Sequence, residues 1–423
     1  METPNRPPNR LRPSQNCSEA GTNRIPVSIL TGFLGAGKTT LLNALVSLPD
    51  SDGTAVFINE LGAVGIDHHL VEKIDDALVI LDSGCLCCTV QGDLMQALMR
   101  LHDRIARREI KPVRRVLIET TGMADPAPVV RALTEDRLVS ARFRCDGLLT
   151  VVDTERARTQ LAHHREAMVQ VAMADRLILS KCDLAGRAER AALERDLAAI
   201  NPSAPRIEAR RGNVSWDALF GAGVYAAETG TPNWTRWLQA APPASTRTGD
   251  EPHGHEHHHA HPSPHGSRIR SFVVTLDPAP GWRGLTVVLG DILTDWSGRL
   301  LRVKGLVDVA GLPGPVVVQC VDATAYSPVN LPEWPRDGAL ADQHGRLVFI
   351  GEGLTDADET AIRDRLAACP GDREALRRAA ARLGMPTRNW LSERMPLAPA
   401  PGLQSPAFLI QPRYLRDARA QAG

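Results

Sequence analysis

Two short stretches place chemically active residue types at spacings that let them act together. The first is GFLGAGKT, Gly32 to Thr39, which fits G-x-x-x-x-G-K-[ST] between an apolar strand and a helical run. Glycines there let successive backbone N–H groups face phosphate oxygens, and the helix start adds the positive end of its dipole. Lys38 would reach the β- and γ-phosphates, and the Thr39 hydroxyl would ligate Mg²⁺. The second stretch is LDSGCLCCTVQGD, which holds three cysteines in four residues, Cys85, Cys87 and Cys88. In an extended segment residues two apart face the same way, so Cys85 and Cys87 can converge, and Cys88 joins them if the chain turns. Three thiolates would leave one place open in a tetrahedral Zn²⁺ site. Soft thiolates also accept Cu(I). Cys85 and Cys88 have the C-x-x-C spacing of a redox pair, and free cysteines also pack as small hydrophobes. Spacing alone leaves metal, redox and packing open.

Further candidates surround these two. LIETTG (117–122) is an apolar strand ending in an acid, and Glu119 there can hold Mg²⁺ through water or orient an attacking water. Gly122 can contact a γ-phosphate. LILSKCDL (177–184) ends another strand and is close to the guanine-reading pattern Asn-Lys-x-Asp. Asp183 can accept from guanine N1–H and N2–H₂, a pairing adenine cannot supply, and the Lys181 stem would lie over the base. Ser180 stands where Asn is usual, so contacts to the guanine edge and the loop are expected to be weaker. GTP is favoured over ATP. FINELGAVGIDHHLV (57–71) places Glu60 just after a strand, at the sheet edge where α/β proteins bind ligands. Glu60 is a candidate fourth ligand for the thiolate site. Asp67, His68 and His69 are further candidates, the two histidines being more often plain helix or loop positions than ligands. Finally, HGHEHHHAHPSPHG carries His253, His255, His257, His258, His259, His261 and His265. Neutral imidazoles bind Zn²⁺, Ni²⁺, Co²⁺ and Cu²⁺. As a tether this run would collect metal weakly and raise its local concentration.

The elements that must position these residues follow from the apolar periodicity. Strands are expected at 25–30, 55–59, 77–82, 115–119, 147–153 and 176–180, with helices at 39–47, 93–108, 128–136, 165–175 and 187–200. Strands recurring between helices imply an α/β fold with a mainly parallel sheet, and near-continuous apolar strands imply helices on both faces. Residues 1–24 are expected to form a disordered tail and 25–228 a P-loop GTPase domain. Residues 229–267, rich in Pro, Gly, Ser and His, read as a linker. A smaller α+β domain spans 268–369, and 370–423 is an extension with one helix at Arg373–Leu383.

Composition narrows the function classes. The chain has 423 residues, enough for two or three domains, with 49 basic and 49 acidic side chains. That balance gives no argument for nucleic acid or a membrane surface as partner. No apolar run is long enough to span a bilayer, and the N-terminus lacks the hydrophobic core of a secretory signal. A cytoplasmic location is expected, where clustered thiols more often mean metal or redox chemistry than crosslinks.

Taken together and in order, TGFLGAGKTTLLNALV, INELGAVGIDHHLV, LDSGCLCCTVQGDL, IETTGMADPAPVV, DGLLTVVD and LSKCDL resemble the CobW-type GTPases. These are metal-trafficking P-loop proteins that include zinc chaperones. LLRVKGLVDV and LVFIG resemble the family's second domain, so the likeness covers residues 25–368 in outline. It implies GTP hydrolysis coupled to delivery of a metal, most often zinc, to a client apo-metalloprotein. Carried over, Gly35, Ala36, Gly37, Lys38, Thr39 and Thr40 hold phosphates and Mg²⁺, and Glu119 serves the Mg²⁺ and water region. Lys181 and Asp183 read guanine, and Cys85, Cys87 and Cys88 carry the transferred metal. Glu60 matches the acid of the family's Asn-Glu-Phe-Gly stretch. Leu61 replaces the common Phe, and Ala63 stands where many members carry an acid. The competing readings are a zinc buffer built around the histidine run with incidental GTPase activity, and a small-molecule kinase. The client is not fixed by the sequence, and a homodimer stays open.

Overall fold

The computed structural model describes residues 24–58, 78–80, 89–220, 269–334 and 340–382. In the first domain, β1 (Ile25–Gly32) leads through the phosphate loop into α1 (Lys38–Val46). Then come β2 (Thr54–Ile58), β3 (Leu78–Ile80), α2 (Thr89–Ala106), β4 (Arg115–Glu119), α3 (Ala127–Glu135) and α4 (Arg137–Ser140). The domain continues with β5 (Phe143–Asp153), α5 (Ala157–His163), α6 (Arg165–Met173), β6 (Arg176–Ser180), α7 (Arg187–Ile200), β7 (Arg206–Glu208) and α8 (Trp216–Phe220).

The seven strands lie in the order β3-β2-β4-β1-β5-β6-β7, all parallel. Val27, Ile29, Val116, Ile118 and Leu148 are almost fully buried on one face, and Leu30, Val56, Leu117, Leu149 and Ile178 fill the other. Helices therefore cover both faces, which is why the strands read as continuous apolar runs. Strands β2–β4 lie on one side of β1 and β5–β7 on the other, so the order of strand succession reverses there and a crevice opens at the carboxyl ends of β1, β4 and β5, the usual ligand position in such sheets.

The second domain begins at β8 (Ile269–Leu276), followed by α9 (Trp282–Asp295), β9 (Leu300–Val307) and β10 (Val316–Val321). The short strands β11 (Thr324–Ala325) and β12 (Val329–Asn330) precede β13 (Gly345–Glu352), α10 (Asp356–Ala367) and α11 (Asp372–Arg382). Its sheet runs β11-β10-β9-β13-β8 with β12 on β10, and the pairings are antiparallel. Helix α10 starts at a capping box in which Thr355 and Asp358 exchange hydrogen bonds. Asp372, at the start of α11, accepts from the backbone N–H of Arg283 on α9, so that helix is tied to the second domain.

The two domains share one core. Ile269, Leu301, Val321, Tyr326, Val348 and Ile350 of the second domain join the apolar cluster of the first domain. A charged knot sits within this interface. Asp175, between α6 and β6, accepts from the backbone N–H of Leu148 and from the Arg302 guanidinium, and Lys304 Nζ lies 3.7 Å away. Arg302 is 0% and Lys304 1% exposed at the side chain, so this is an interior ion cluster. Arg131–Asp322 and Arg165–Glu352 pair across its rim. Among the described residues no helix is long and apolar enough to cross a membrane.

The knot generates two predictions. Replacing one partner of a buried pair leaves an uncompensated charge, so Arg302→Ala should cost about 3–5 kcal/mol in chemical denaturation. Burial pulls the Lys304 ammonium down from 10.5 to about 7. Above that value the unfolded chain binds the extra proton, so stability should rise with pH. The rise spans about 7 to about 9, beyond which the buried thiols, with ordinary values of 9.0 pushed up to about 12, oppose it. A Lys304→Met variant should lose that rise when melting is followed across the same range.

Candidate functional site

The phosphate loop is built by its glycines. Gly35 and Gly37 have φ of 73° and 91°, the left-handed region that side chains disfavour, and Gly37 is the cap from which α1 starts. Lys38 is the first residue of α1 and is 8% exposed. Its Nζ donates to the carbonyls of Gly32 at 2.9 Å and Phe33 at 3.4 Å, which folds the ammonium into the loop. Ala36 closes the loop through a bond from its N–H to the Phe33 carbonyl, and Thr40 is exposed on the first turn of α1.

Thr39 meets the acid expected of it. Its hydroxyl donates to Glu119 Oε1 at 2.9 Å, across the pairing of β1 and β4. Glu119 is 5% exposed at the carboxyl end of β4. A hydroxyl and a carboxylate held together beside a phosphate loop are hard oxygen donors, and they fit Mg²⁺. After Glu119 the chain is anchored to β1: the Thr120 N–H donates to the Leu30 carbonyl and its hydroxyl to Thr31.

The β6 edge closes onto the same loop. Ser180 Oγ donates to the Ala36 carbonyl at 2.7 Å and to the Val152 carbonyl at 3.2 Å. The smaller hydroxyl still ties this strand end to the phosphate loop. Lys181, at φ 53°, donates to the Gly35 carbonyl at 2.8 Å and to the buried Asp153 carboxylate at 2.7 Å. The two bonds fix its ammonium beside the loop. Asp183 is exposed and lines a cleft of about 470 Å³ with Cys182, Arg190, Glu208, Arg210, Arg211 and Asn213.

The sequence reading missed part of this edge. Asp153, which fixes Lys181, ends β5 and is 1% exposed. The far wall of the cleft is a turn after β7, in which Arg210 and Asn213 exchange backbone hydrogen bonds. Its signal is a glycine-containing RRGN after a short strand, too weak to read alone.

The remaining candidates, Glu60, Cys85, Cys87, Cys88 and His253, His255, His257, His258, His259, His261 and His265, lie outside the described residues, as do Asp67, His68 and His69. The described cysteines are of another kind. Burial pushes the Cys145 and Cys320 thiols up to about 12, so they pack as small apolar groups rather than as thiolates. Among the described residues no cluster of three or more His, Cys, Asp or Glu can hold a metal ion.

Comparison with known proteins fits this geometry. The family model "CobW/HypB/UreG, nucleotide-binding domain" matches residues 26–208, and "Cobalamin synthesis protein cobW C-terminal domain" matches 269–370. The zinc chaperone YjiA of Escherichia coli (strain K12) is 32% identical over 336 residues, covering 79% of this chain and 96% of its own. The chain belongs to the CobW family. The zinc chaperone CobW of a Sinorhizobium species is 29% identical over 385 residues, covering 83% of this chain and 99% of its own. Among solved structures, Zn(II)-bound YjiA GTPase from Escherichia coli matches with a TM-score of 0.56 at 29% identity, over 82% of this chain and 99% of that one.

Within the CobW family architecture, Asp183 tests the base-reading edge. If Asp183 accepts from guanine, losing two hydrogen bonds to a charged acceptor, about 1.5–3 kcal/mol each, should weaken guanine-nucleotide binding by about 100-fold or more. Titration calorimetry of Asp183→Ala should show that loss for GDP and no change for ADP. Ser180→Asn should bind GDP at least as well as the native chain, because either side chain can reach the Ala36 carbonyl.

Proposed function

We propose that this chain is a GTP-dependent metallochaperone. The chain is a P-loop GTPase. It would bind a transition-metal ion as cargo, zinc first with Co²⁺ as a further candidate, at Cys85, Cys87, Cys88 and Glu60. GTP hydrolysis would drive the handover to a client apo-metalloprotein. Two relatives named zinc chaperones and a Zn(II)-bound neighbour support zinc as the metal.

One observation carries the coupling. Ile58 pairs with Glu119 on one side and with Ile80 on the other. The carboxyl ends of β4, β2 and β3 are therefore level, and Ile80 stands two strand spacings, about 10 Å, from Glu119. Glu60 follows Ile58 by two positions and Cys85 follows Ile80 by five. Ile58 and Ile80, the last described residues before Glu60 and the cysteines, thus end on the same sheet edge as the acid that faces Thr39.

The chemistry divides among the residues described. Backbone N–H groups from Gly35 to Thr39 and the start of α1 would receive the β-phosphate. Lys38 would exchange its contacts to the Gly32 and Phe33 carbonyls for phosphate oxygens, offsetting the charge that develops on transfer. Thr39 and Glu119 would hold Mg²⁺, which when bound neutralises phosphate charge. Lys181 would cover the base and Asp183 would read its edge.

The test is metal transfer from the purified protein to candidate apo-enzymes, with GTP against a non-hydrolysable analogue. Equal transfer with both would remove hydrolysis from the mechanism. Changing Cys85, Cys87 and Cys88 together to Ser should abolish tight zinc binding and the metal-dependent part of the GTPase rate. The buffer reading instead predicts that deleting His253–His265 removes most bound metal while Lys38→Ala has little effect.

A further inference from the structure

Gln170 is 1% exposed in the middle of α6, yet it is polar and lies outside every motif described above. Its carboxamide Nε2 donates to the Gly122 carbonyl at 3.1 Å and to the Ala124 carbonyl at 2.9 Å. Both donors of the group are therefore spent on one turn, the turn that follows Glu119. That turn rests on the phosphate loop. A Cβ placed on Gly122 would lie 2.8 Å from the backbone N and Cα of Leu34, so only glycine permits the contact. On its other side Gln170 is fixed by its own carbonyl, which accepts from the Thr150 hydroxyl of β5 at 2.9 Å. The helix also reaches the loop at its N-terminal end, where the rings of His164 and Phe33 lie 4.6 Å apart.

We propose that Gln170 is a positioning residue for GTP hydrolysis, setting the Thr121–Ala124 turn against the phosphate loop through its two donated hydrogen bonds. The inference rests on the chain acting as a GTPase. The turn begins two residues after Glu119, on the side of the loop where a γ-phosphate would lie, and its backbone has few other ties. The Ala124 N–H bonds only within the turn, to the Thr121 carbonyl at 3.1 Å. An amide side chain is required, because a carboxylate would present oxygen to two carbonyl oxygens and a thioether has nothing to donate. GDP lacks the γ-phosphate, so the residue should matter for turnover and not for GDP affinity.

Two variants of similar volume, Gln170→Glu and Gln170→Met, test this. The readouts are single-turnover GTP hydrolysis and GDP affinity by calorimetry. Misplacing a group by about 1 Å costs up to about 100-fold in rate. The expected result is a 10- to 100-fold fall in the hydrolysis rate constant in both variants, with GDP affinity within about twofold of the native chain. Unchanged hydrolysis would overturn the proposal, and so would a parallel loss of GDP binding, which would make Gln170 a residue of general stability. Absence of GTP hydrolysis by the native chain would instead overturn the underlying GTPase reading.

Discussion

A single buried carboxylate joins the two halves of this molecule. Asp175 caps the backbone of β5 through Leu148 and faces Arg302 and Lys304 from the second domain. An unpaired guanidinium in that position would be prohibitively desolvated. Burial also pulls Lys304 toward its neutral form. The apolar surface around the knot provides the adhesion, since one cluster runs from α3 and α6 into β9 and β13. The charges provide register, because only one seating of the second sheet brings Arg302 onto Asp175.

The nucleotide edge depends on that seating only indirectly. Its parts come from four strand ends that the parallel sheet holds level: the loop after β1, Glu119 after β4, Asp153 at the end of β5, and Ser180 and Lys181 after β6. Each is tied to the phosphate loop by a short hydrogen bond or by the ladder itself. Three side-chain ties to this loop, from Glu119, Ser180 and Lys181, leave it little freedom, which is the preorganisation that phosphoryl transfer needs from a protein. Ser180 illustrates how the arrangement tolerates change. Its hydroxyl reaches the Ala36 carbonyl because β6 runs close beside the loop, so the bridge survives the loss of an amide.

Much of this is legible in the sequence where local signals are strong. The runs Arg115–Glu119 and Arg176–Ser180 are strands residue for residue, because unbroken apolar stretches bounded by turn residues leave no alternative. The phosphate loop is legible because its glycines have few other uses. β5 begins four residues before its apolar run, at Phe143, since Arg144 and Asp146 break the pattern that the eye follows. β7 has only three residues, none fully buried, and therefore no apolar signature. Arg302 and Lys304 alternate with Val303 as they would on a strand with one wet face, and only the tertiary structure shows that this face is covered by another domain. Gln170 is illegible for a similar reason. Its partners are carbonyls 46 and 48 residues away, and carbonyls carry no side-chain identity to recognise.

Helix α6 links these observations. Gln170 on it holds the turn after Glu119, its N-terminal flank touches Phe33, and its C-terminal end runs into Asp175. One rigid element of nine residues thus contacts the phosphate loop, the turn beside it and the interdomain knot. Coupling between two sites is reciprocal: whatever one does to a shared element, the other feels with the same free energy. A displacement of the Gly122 turn must therefore either break two buried hydrogen bonds or move α6. Moving α6 means shifting Asp175 against the buried Arg302 guanidinium. The second option is opposed by the larger energy, so the Gln170 bonds are the weaker joint. The same comparison explains why a polar side chain persists at this depth in an apolar helix: it lets the turn be held firmly while leaving the domain interface as the fixed frame.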